Sequence, residues 1–390
     1  MSDASSLAIP AGAVLLTGAT GFVGTELLAR YLERGDRHVV ALVRAKDDEA
    51  ATARVRATLE TACGDPDAHP GRITAVAGDL TAPRLGLGDR WEGLSGRIGA
   101  IVHGAASVAF DLSLEDARAI NVEGTRRMLD FARACPGLER FTYVSTAYVA
   151  GERRGTIYED DIGGGPFRNA YERSKHEAER LVAAQGADMA VTIVRPSIVV
   201  GDRRTGWTAA FNVLYAPLRA FAAGAYAVLP ARRRSPVDIV PVDYVADAVH
   251  ALAEAPEGAG GTFHVVAGAA ATTVGEIVSL ASARFSQRMP RLVSPRVYHT
   301  IVGPIVARRA SSTERRMLAS SAPYFPYFAM RARFDDARAR AVLHPRGIAA
   351  SPLHTYFDRL VDFAEAARWG RDPITRADAE QREERPLTLA

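Results

Sequence analysis

The stretch Val14-Leu15-Leu16-Thr17-Gly18-Ala19-Thr20-Gly21-Phe22-Val23-Gly24 limits the possible folds of this chain more than any other. Its short apolar run predicts a buried strand, and the helical pattern behind it predicts a helix beginning near Phe22. Gly18, Gly21 and Gly24 stand between the two at G-x-x-G-x-x-G spacing. Such spacing lets the turn tighten, lets the backbone approach a phosphate and lets the helix lie close on the strand. The first N–H groups of that helix lack intrahelical partners and suit an anion. A glycine triplet alone also describes an ordinary tight turn; a strand before it and a helix after it are the context in which it binds a dinucleotide.

Strand and helix patterns then alternate, with further strands expected at 38–43, 72–77, 99–103, 139–145 and 190–195. Alternation of this kind predicts an α/β fold, a Rossmann-type doubly wound parallel sheet with helices on both faces. Arg44 ends the second strand, where an acidic residue would accept from a ribose 2′-hydroxyl and an arginine instead attracts a 2′-phosphate. With Lys46 close behind, this favours NADPH over NADH. Asp79 follows the third strand and is placed either to contact an adenine edge or to cap its own turn. After the fourth strand, Gly104 and Ala105 are small enough for a flat group to lie against the backbone. Asn121, on a helix expected from about Leu114 to Ala134, faces either solvent or backbone.

The fifth strand delivers Ser145 and Thr146 to the same end of the sheet, and Tyr171-Glu-Arg-Ser-Lys175 follows on a helix. Residues four apart share a helix face, about 6 Å apart along the axis. An ammonium so placed is expected to lower the pKa of a phenol, making proton exchange feasible near neutrality. Tyr-x-x-x-Lys by itself describes many surface helices; the preceding hydroxyl pair and the opening glycine turn give it meaning. Pro196, ending the sixth strand, fixes the chain where it leaves the sheet.

Beyond this point the alternation weakens. A strand is expected at 237–240, a helix to about Glu254, a strand at 262–266 and a helix that Thr273 and Glu276 cap. From Pro290 the pattern is mostly helical, interrupted by the aromatic cluster Pro323–Phe328, read as a packing seam before a pocket wall. The expected organisation is an N-terminal tail (1–12), a nucleotide domain (13–270, with 196–235 partly serving the substrate), a smaller, mostly helical substrate-binding lobe (271–370) and a flexible tail (371–390). The apolar span Ala209–Pro230 contains Asn212, Pro217 and Arg219, which argues against a transmembrane segment and leaves a substrate wall or a surface helix in peripheral contact with lipid.

A net charge of +3 gives no argument for nucleic acid, although arginines gather late in the chain and suit an acidic or phosphorylated partner. Two cysteines, Cys63 and Cys135, predict neither a disulfide framework nor a metal site, and with no signal peptide they suit the cytoplasm. No Gly-x-Ser-x-Gly elbow is present, so no covalent nucleophile is expected. The oligomeric state has no signal in the sequence.

Taken together, Gly18-x-x-Gly21-x-x-Gly24, Asp79-Leu80, His103-Gly104-Ala105-Ala106, Ser145-Thr146, Tyr171-x-x-x-Lys175 and Arg195-Pro196 resemble the extended short-chain dehydrogenase/reductases over residues 13 to 270. Val144–Val149 and Arg195–Asp202 look like the fatty acyl-CoA reductase and thioester-reductase branch of that family. The resemblance implies that Tyr171 donates the proton, that Lys175 binds ribose hydroxyls while tuning Tyr171, and that Thr146, with Ser145 second, holds the substrate carbonyl oxygen. It implies that Gly18, Thr20, Gly21, Phe22, Val23 and Gly24 cradle a pyrophosphate, that Arg44 takes a 2′-phosphate, that Asp79 and Leu80 lie near adenine, and that Gly104, Ala105 and Pro196 line the cofactor crevice. The implied activity is an NADPH-dependent oxidoreductase acting on an acyl-CoA or an acyl carrier protein thioester, giving aldehyde and, with a second hydride, alcohol. Rival readings are a nucleotide-sugar epimerase or dehydratase, a hydroxysteroid-type dehydrogenase, and a non-enzymatic NADPH-sensing protein.

Overall fold

In a computed structural model, which describes residues 9–211, 213–309 and 311–384, seven parallel strands form the central sheet. The first half alternates as β1 (Ala13–Thr17), α1 (Phe22–Arg34), β2 (Val39–Val43), α2 (Asp48–Cys63), β3 (Ile73–Ala77), α3 (Arg90–Ser95), β4 (Ile98–His103), α4 (Leu114–Asn121), α5 (Glu123–Arg133) and β5 (Arg140–Val144). A short β6 (Arg154–Ile157), the long α6 (Ala170–Gln185) and β7 (Val191–Pro196) follow. Across the sheet the order is Thr262–Val265, β7, β5, β4, β1, β2, β3. Chain direction through the sheet reverses beside β1, where β2 lies on one side and β4 on the other, so a crevice opens at the carboxyl ends of β1 and β4.

Both faces of the sheet are covered, which is why its strands read as nearly continuous apolar runs. Val14 and Leu16 join one buried cluster with α1 and the helix Val242–Glu254, while Leu15 joins another with α5 and α6. The expected single helix at 114–134 is two, because the backbone turns at Val122 (φ −92°, ψ −57°) before α5 restarts. The expected strand at 237–240 is likewise two short ones, Pro236–Val237 and Ile239–Pro241, flanking buried Asp238. Its carboxylate accepts from the N–H groups of Ala267 and Gly268, which fixes the chain after the last sheet strand.

A second core gathers residues from the middle and late chain, among them Tyr148, Leu218, Phe325 and Leu360. Within Ala209–Pro230 the helix is only Tyr215–Ala222, and Leu218 and Phe221 are buried in that core, so this span does not present a lipid-facing surface helix. The late region is less purely helical than its sequence suggests. Arg291–Val293 pairs with Val228–Pro230, and Arg331–Phe334 pairs with β6, both in parallel. Residues 337–343 return to the nucleotide half, burying Ala339, Val342 and Leu343 beside Val245.

The tail expected to be flexible instead carries a helix, Arg376–Glu384, packed on α2 and ion-paired to α1; residues 385–390, like 1–8, lie outside the described residues. Arg376 reaches Glu26 of α1 at 2.9 Å, and Arg30 approaches the same carboxylate at 3.0 Å. Sequence polarity suggested fraying, but Arg376, one of the many charged residues that make the tail polar, is paired inside. Glu26 is fully buried and accepts no well-aligned hydrogen bond. Burial therefore outweighs the two guanidiniums and lifts its pKa to about 7. With an ordinary unfolded value of 4.5, the folded state holds this proton more tightly, so stability falls as pH rises from about 4.5 to about 7 and the cost is complete above it. The wild-type chain should lose up to ~3 kcal/mol from this group over that window, and Glu26→Gln should flatten the profile in urea denaturation measured at several pH values. An unchanged slope in the variant would assign the pH dependence elsewhere.

Candidate active site

The opening turn builds one end of the crevice. Gly18 has φ +77°, and a Cβ there would lie 2.8 Å from the Ala105 backbone nitrogen. At Gly24 a Cβ would lie 1.8 Å from the Gly18 carbonyl oxygen, so helix and strand approach closely only because both positions are glycine. Gly21 caps α1, accepting from Thr25 N–H at 2.8 Å while its own N–H donates to Gly18 at 2.9 Å. The first turn of α1 holds no acidic residue and no side-chain cap, unlike α2, which Asp47 caps and whose first turn carries Asp48 and Glu49. The N-terminus of α1 thus keeps its positive end for an anion. Gly21 is exposed, and Phe22 and Val23 are half-buried at this mouth, with Phe22 set against Trp207.

Arg44 is exposed just past β2. Arg54, from α2, crosses to the same corner, donating to the Arg44 carbonyl and to the Thr20 hydroxyl, the latter at 3.2 Å. Sequence reading missed Arg54, because only the return of α2 over the strand end brings it beside Arg44. Asp79 resolves as a turn cap: its Oδ1 accepts from the backbone and hydroxyl of Thr81, at 2.8 and 2.7 Å. Leu80 lies against α5, where a Cβ on Gly124 would stand 3.0 Å from the Leu80 Cβ.

A buried chain of hydrogen bonds supports the crevice floor. His103 sits between the hydroxyls of Thr17 (2.8 Å) and Thr125 (3.1 Å), and Thr17 also accepts from Ala105 N–H at 3.1 Å. Burial, aided by the Lys175 charge, pushes His103 down to about 3, so it stays neutral and structural. Asn121 is buried too: it exchanges bonds with the Ser107 backbone and donates to Ser174 at 2.9 Å.

Tyr171 and Lys175 occupy the N-terminal half of α6, whose Asn169 cap accepts from Glu172 N–H at 2.9 Å. The Thr146 side chain acts on the Tyr171 phenol, favouring its ionised form, and its hydroxyl lies 3.4 Å from the Pro196 carbonyl. Lys175 donates to the Val144 carbonyl at 2.8 Å, with its ammonium 4.3 Å from the Tyr143 ring centre. Its charge is directed at that carbonyl and ring, and the expected lowering of the phenol is absent: burial raises Tyr171 to about 12, opposed by the Thr146 side chain. Burial lowers Lys175 to about 7, with Glu179 opposing. The lysine, more than the tyrosine, titrates near neutrality here.

The neighbouring hydroxyl behaves differently. Ser145 donates to Glu179 at 2.5 Å, and Glu179 is held by the Arg195 guanidinium, whose Nε lies 3.0 Å away. Of the pair, only Thr146 is directed at Tyr171. Two aromatic groups stand near the phenol, Phe110, which the sequence reading passed over, and Tyr327, from the aromatic cluster at 323–328. Phe110 places its ring 5.8 Å from that of Tyr171, and Tyr327 stacks on Phe110 at 5.7 Å while accepting from Asn169 at 2.9 Å. The aromatic cluster at 323–328 is therefore a packing seam that also walls the space beside Tyr171. Among the described residues no cluster of three metal-ligating side chains occurs.

A glycine cradle that a Cβ would fill, an uncapped helix end and two guanidiniums at the adenosine corner fit a nicotinamide dinucleotide. This fold and these residues define an extended short-chain dehydrogenase/reductase. The chain belongs to the male sterility protein family, an NAD-binding family, which residues 16–249 match. It is 39% identical over 224 residues to an isonitrile lipopeptide synthase of Streptomyces coeruleorubidus, covering 53% of this chain and 14% of that protein. It is 33% identical over 271 residues to fatty acyl-CoA reductase 1 of Homo sapiens, covering 60% of this chain and 52% of that one. The chain thus spans about half the length or less of these curated relatives. Among solved structures, the terminal R domain from the myxalamid PKS-NRPS pathway superposes with a TM-score of 0.80 at 28% identity, over 94% of this chain and 93% of that one. Likeness to MoeE5 with UDP-glucuronic acid and NAD, at 21% identity and a TM-score of 0.64, shows the shared fold. No helix among the described residues is long and apolar enough to cross a membrane.

Gly18→Ala should weaken nicotinamide dinucleotide binding at least ~100-fold, since the added methyl meets backbone rather than a movable side chain. Titration by cofactor fluorescence checks this, and wild-type affinity would remove the turn from the binding site.

Proposed function

We propose that this protein is an NADPH-dependent reductase of thioester-bound acyl groups, carried on CoA or on an acyl carrier protein, and that it works in the cytoplasm. The observation that carries the reading is the convergence of Thr146 and Tyr171 beside the crevice whose far corner holds Arg44 and Arg54. The relatives with R-domain and acyl-CoA reductase names support the substrate class.

In this reading Gly18, Thr20, Gly21, Phe22, Val23 and Gly24 hold the pyrophosphate, Arg44 and Arg54 the 2′-phosphate, and Lys175 the ribose hydroxyls. Asp79, Leu80, Gly104, Ala105 and Pro196 line the remainder of the crevice. Bound NADPH supplies hydride to the thioester carbonyl carbon. Thr146 orients the carbonyl oxygen, and Tyr171 transfers its phenolic proton to that oxygen as negative charge develops there. The Thr146 side chain, which opposes the burial-driven rise of the phenol, supports the phenolate that remains, while the Val144 carbonyl holds Lys175 in place for the ribose. The resulting hemithioacetal loses thiol and leaves an aldehyde. Ser145, held by Glu179, positions rather than reacts.

Tyr171→Phe should lower kcat at least ~100-fold while leaving NADPH affinity within about twofold, read from NADPH oxidation with a long-chain acyl-CoA and from cofactor titration. Turnover of ketones or aldehydes but of no thioester would overturn the substrate class. Arg44→Asp combined with Arg54→Ala should reduce the preference for NADPH over NADH at least ~10-fold in kcat/KM, since each guanidinium removed leaves a phosphate charge less compensated. An unaltered preference would retire the two-arginine corner.

A further inference from the structure

Between Ser286 and Arg316 the sequence carries seven arginines against a single acidic residue, Glu314, whereas the whole chain nets only +3. The charge excess is therefore local. Within it, Pro295 to Arg309 run as a continuous helical stretch, widened into a π turn at Tyr298–Val302. One side of this stretch faces inward: Tyr298 is buried with its ring 6.1 Å from Phe325, and Val302 lies against the same core. The other side carries Val297, Ile301 and Ile305 at 43%, 58% and 48% exposure, spaced four residues apart. They make an aliphatic ridge ~12 Å long, and Met289, 48% exposed, stands on the segment leading into it. Arg288, Arg291, Arg296 and Arg308 are exposed around the ridge, and no salt bridge occupies any of them among the described residues.

A helix that buries one apolar side does not need a second one for folding. We propose that this ridge is a membrane-surface contact, in which Val297, Ile301 and Ile305 enter the headgroup region of an anionic bilayer while the flanking arginines meet lipid phosphates. The shape favours a bilayer over a folded partner: a convex ridge requires a matching groove in a protein but only displaces lipid in a membrane. The charge favours an anionic leaflet, since four guanidiniums unopposed by carboxylates gain from its negative potential. This inference stands apart from the thioester reading, because association with lipid is measured without turnover.

Flotation of the full chain with vesicles of mixed phosphatidylcholine and phosphatidylglycerol, compared with phosphatidylcholine alone, tests it. The chain should float with the anionic vesicles, at least ~10-fold less with neutral ones, and progressively less as salt is raised. Ile301→Glu with Ile305→Glu, and separately Arg296→Ala with Arg308→Ala, should each reduce bound protein at least ~10-fold, with circular dichroism and NADPH affinity unchanged. The arginine pair, being exposed, keeps the test valid should the glutamates disturb folding. Absence of flotation, equal flotation with neutral vesicles, or wild-type binding by the arginine variant would overturn the proposal. So would capture of an acidic carrier protein by the ridge from a chain that ignores vesicles.

Discussion

The close approach of α1 to β1 is the contact on which the rest of the molecule depends. With hydrogen in place of methyl at Gly18 and Gly24, a helix start comes within van der Waals reach of a strand end and of the Gly104–Ala105 backbone. Any side chain there would push the helix off the sheet, and with it the oriented N–H groups that give the crevice its positive end. The central strands, their two apolar faces and the Thr17–His103–Thr125 chain all serve to hold this junction at one geometry. Local backbone permissiveness thus sets global architecture.

Electrostatics at the reaction centre follow from burial more than from proximity. Four-residue spacing put Tyr171 and Lys175 on one helix face, yet the phenol is raised and the ammonium lowered, each by loss of water. Lys175 is steadied by the Val144 carbonyl and by Glu179 one turn along. Glu179 in turn ties Ser145 to Arg195, so one carboxylate keeps a hydroxyl out of the site and a positive charge in it. In the proposed site, three conspicuous residues depend on a fourth, inconspicuous one that organises the space behind them.

Much of this was legible because periodicity and glycine spacing are local. The strands of the first half, the α1 start, the Thr273–Glu276 capping box and the Tyr171–Lys175 helix all announce themselves within a dozen residues. What escaped was non-local. Arg54 reaches Arg44 only through the return of α2, Phe110 meets Tyr171 across two loops, and the Arg376 helix gains its order from a buried glutamate near the other end of the chain. Two strands in the late region were invisible because each is only a few residues long and pairs with a distant edge. The break at Val122 has no proline to mark it, and Gly124, two residues on, lies inside α5 rather than at the break.

The pairing of Arg331–Phe334 with β6 has a consequence for the order of assembly. Beta-strand β6 lies in the connection between Thr146 and Tyr171, and the turn after it is tied down by Glu159, whose carboxylate accepts from the N–H groups of Arg338 and Ala339. During synthesis the sheet can close as soon as Val265 emerges, and Glu159 then meets the His264 N–H and the Arg195 guanidinium, but β6 has no strand partner until Phe334 has left the ribosome and Glu159 lacks its last two donors until Ala339 follows. For that interval the nascent chain would hold a closed central sheet beside an incompletely tied β6 segment, and completion of the second would be timed by translation of the C-terminal region.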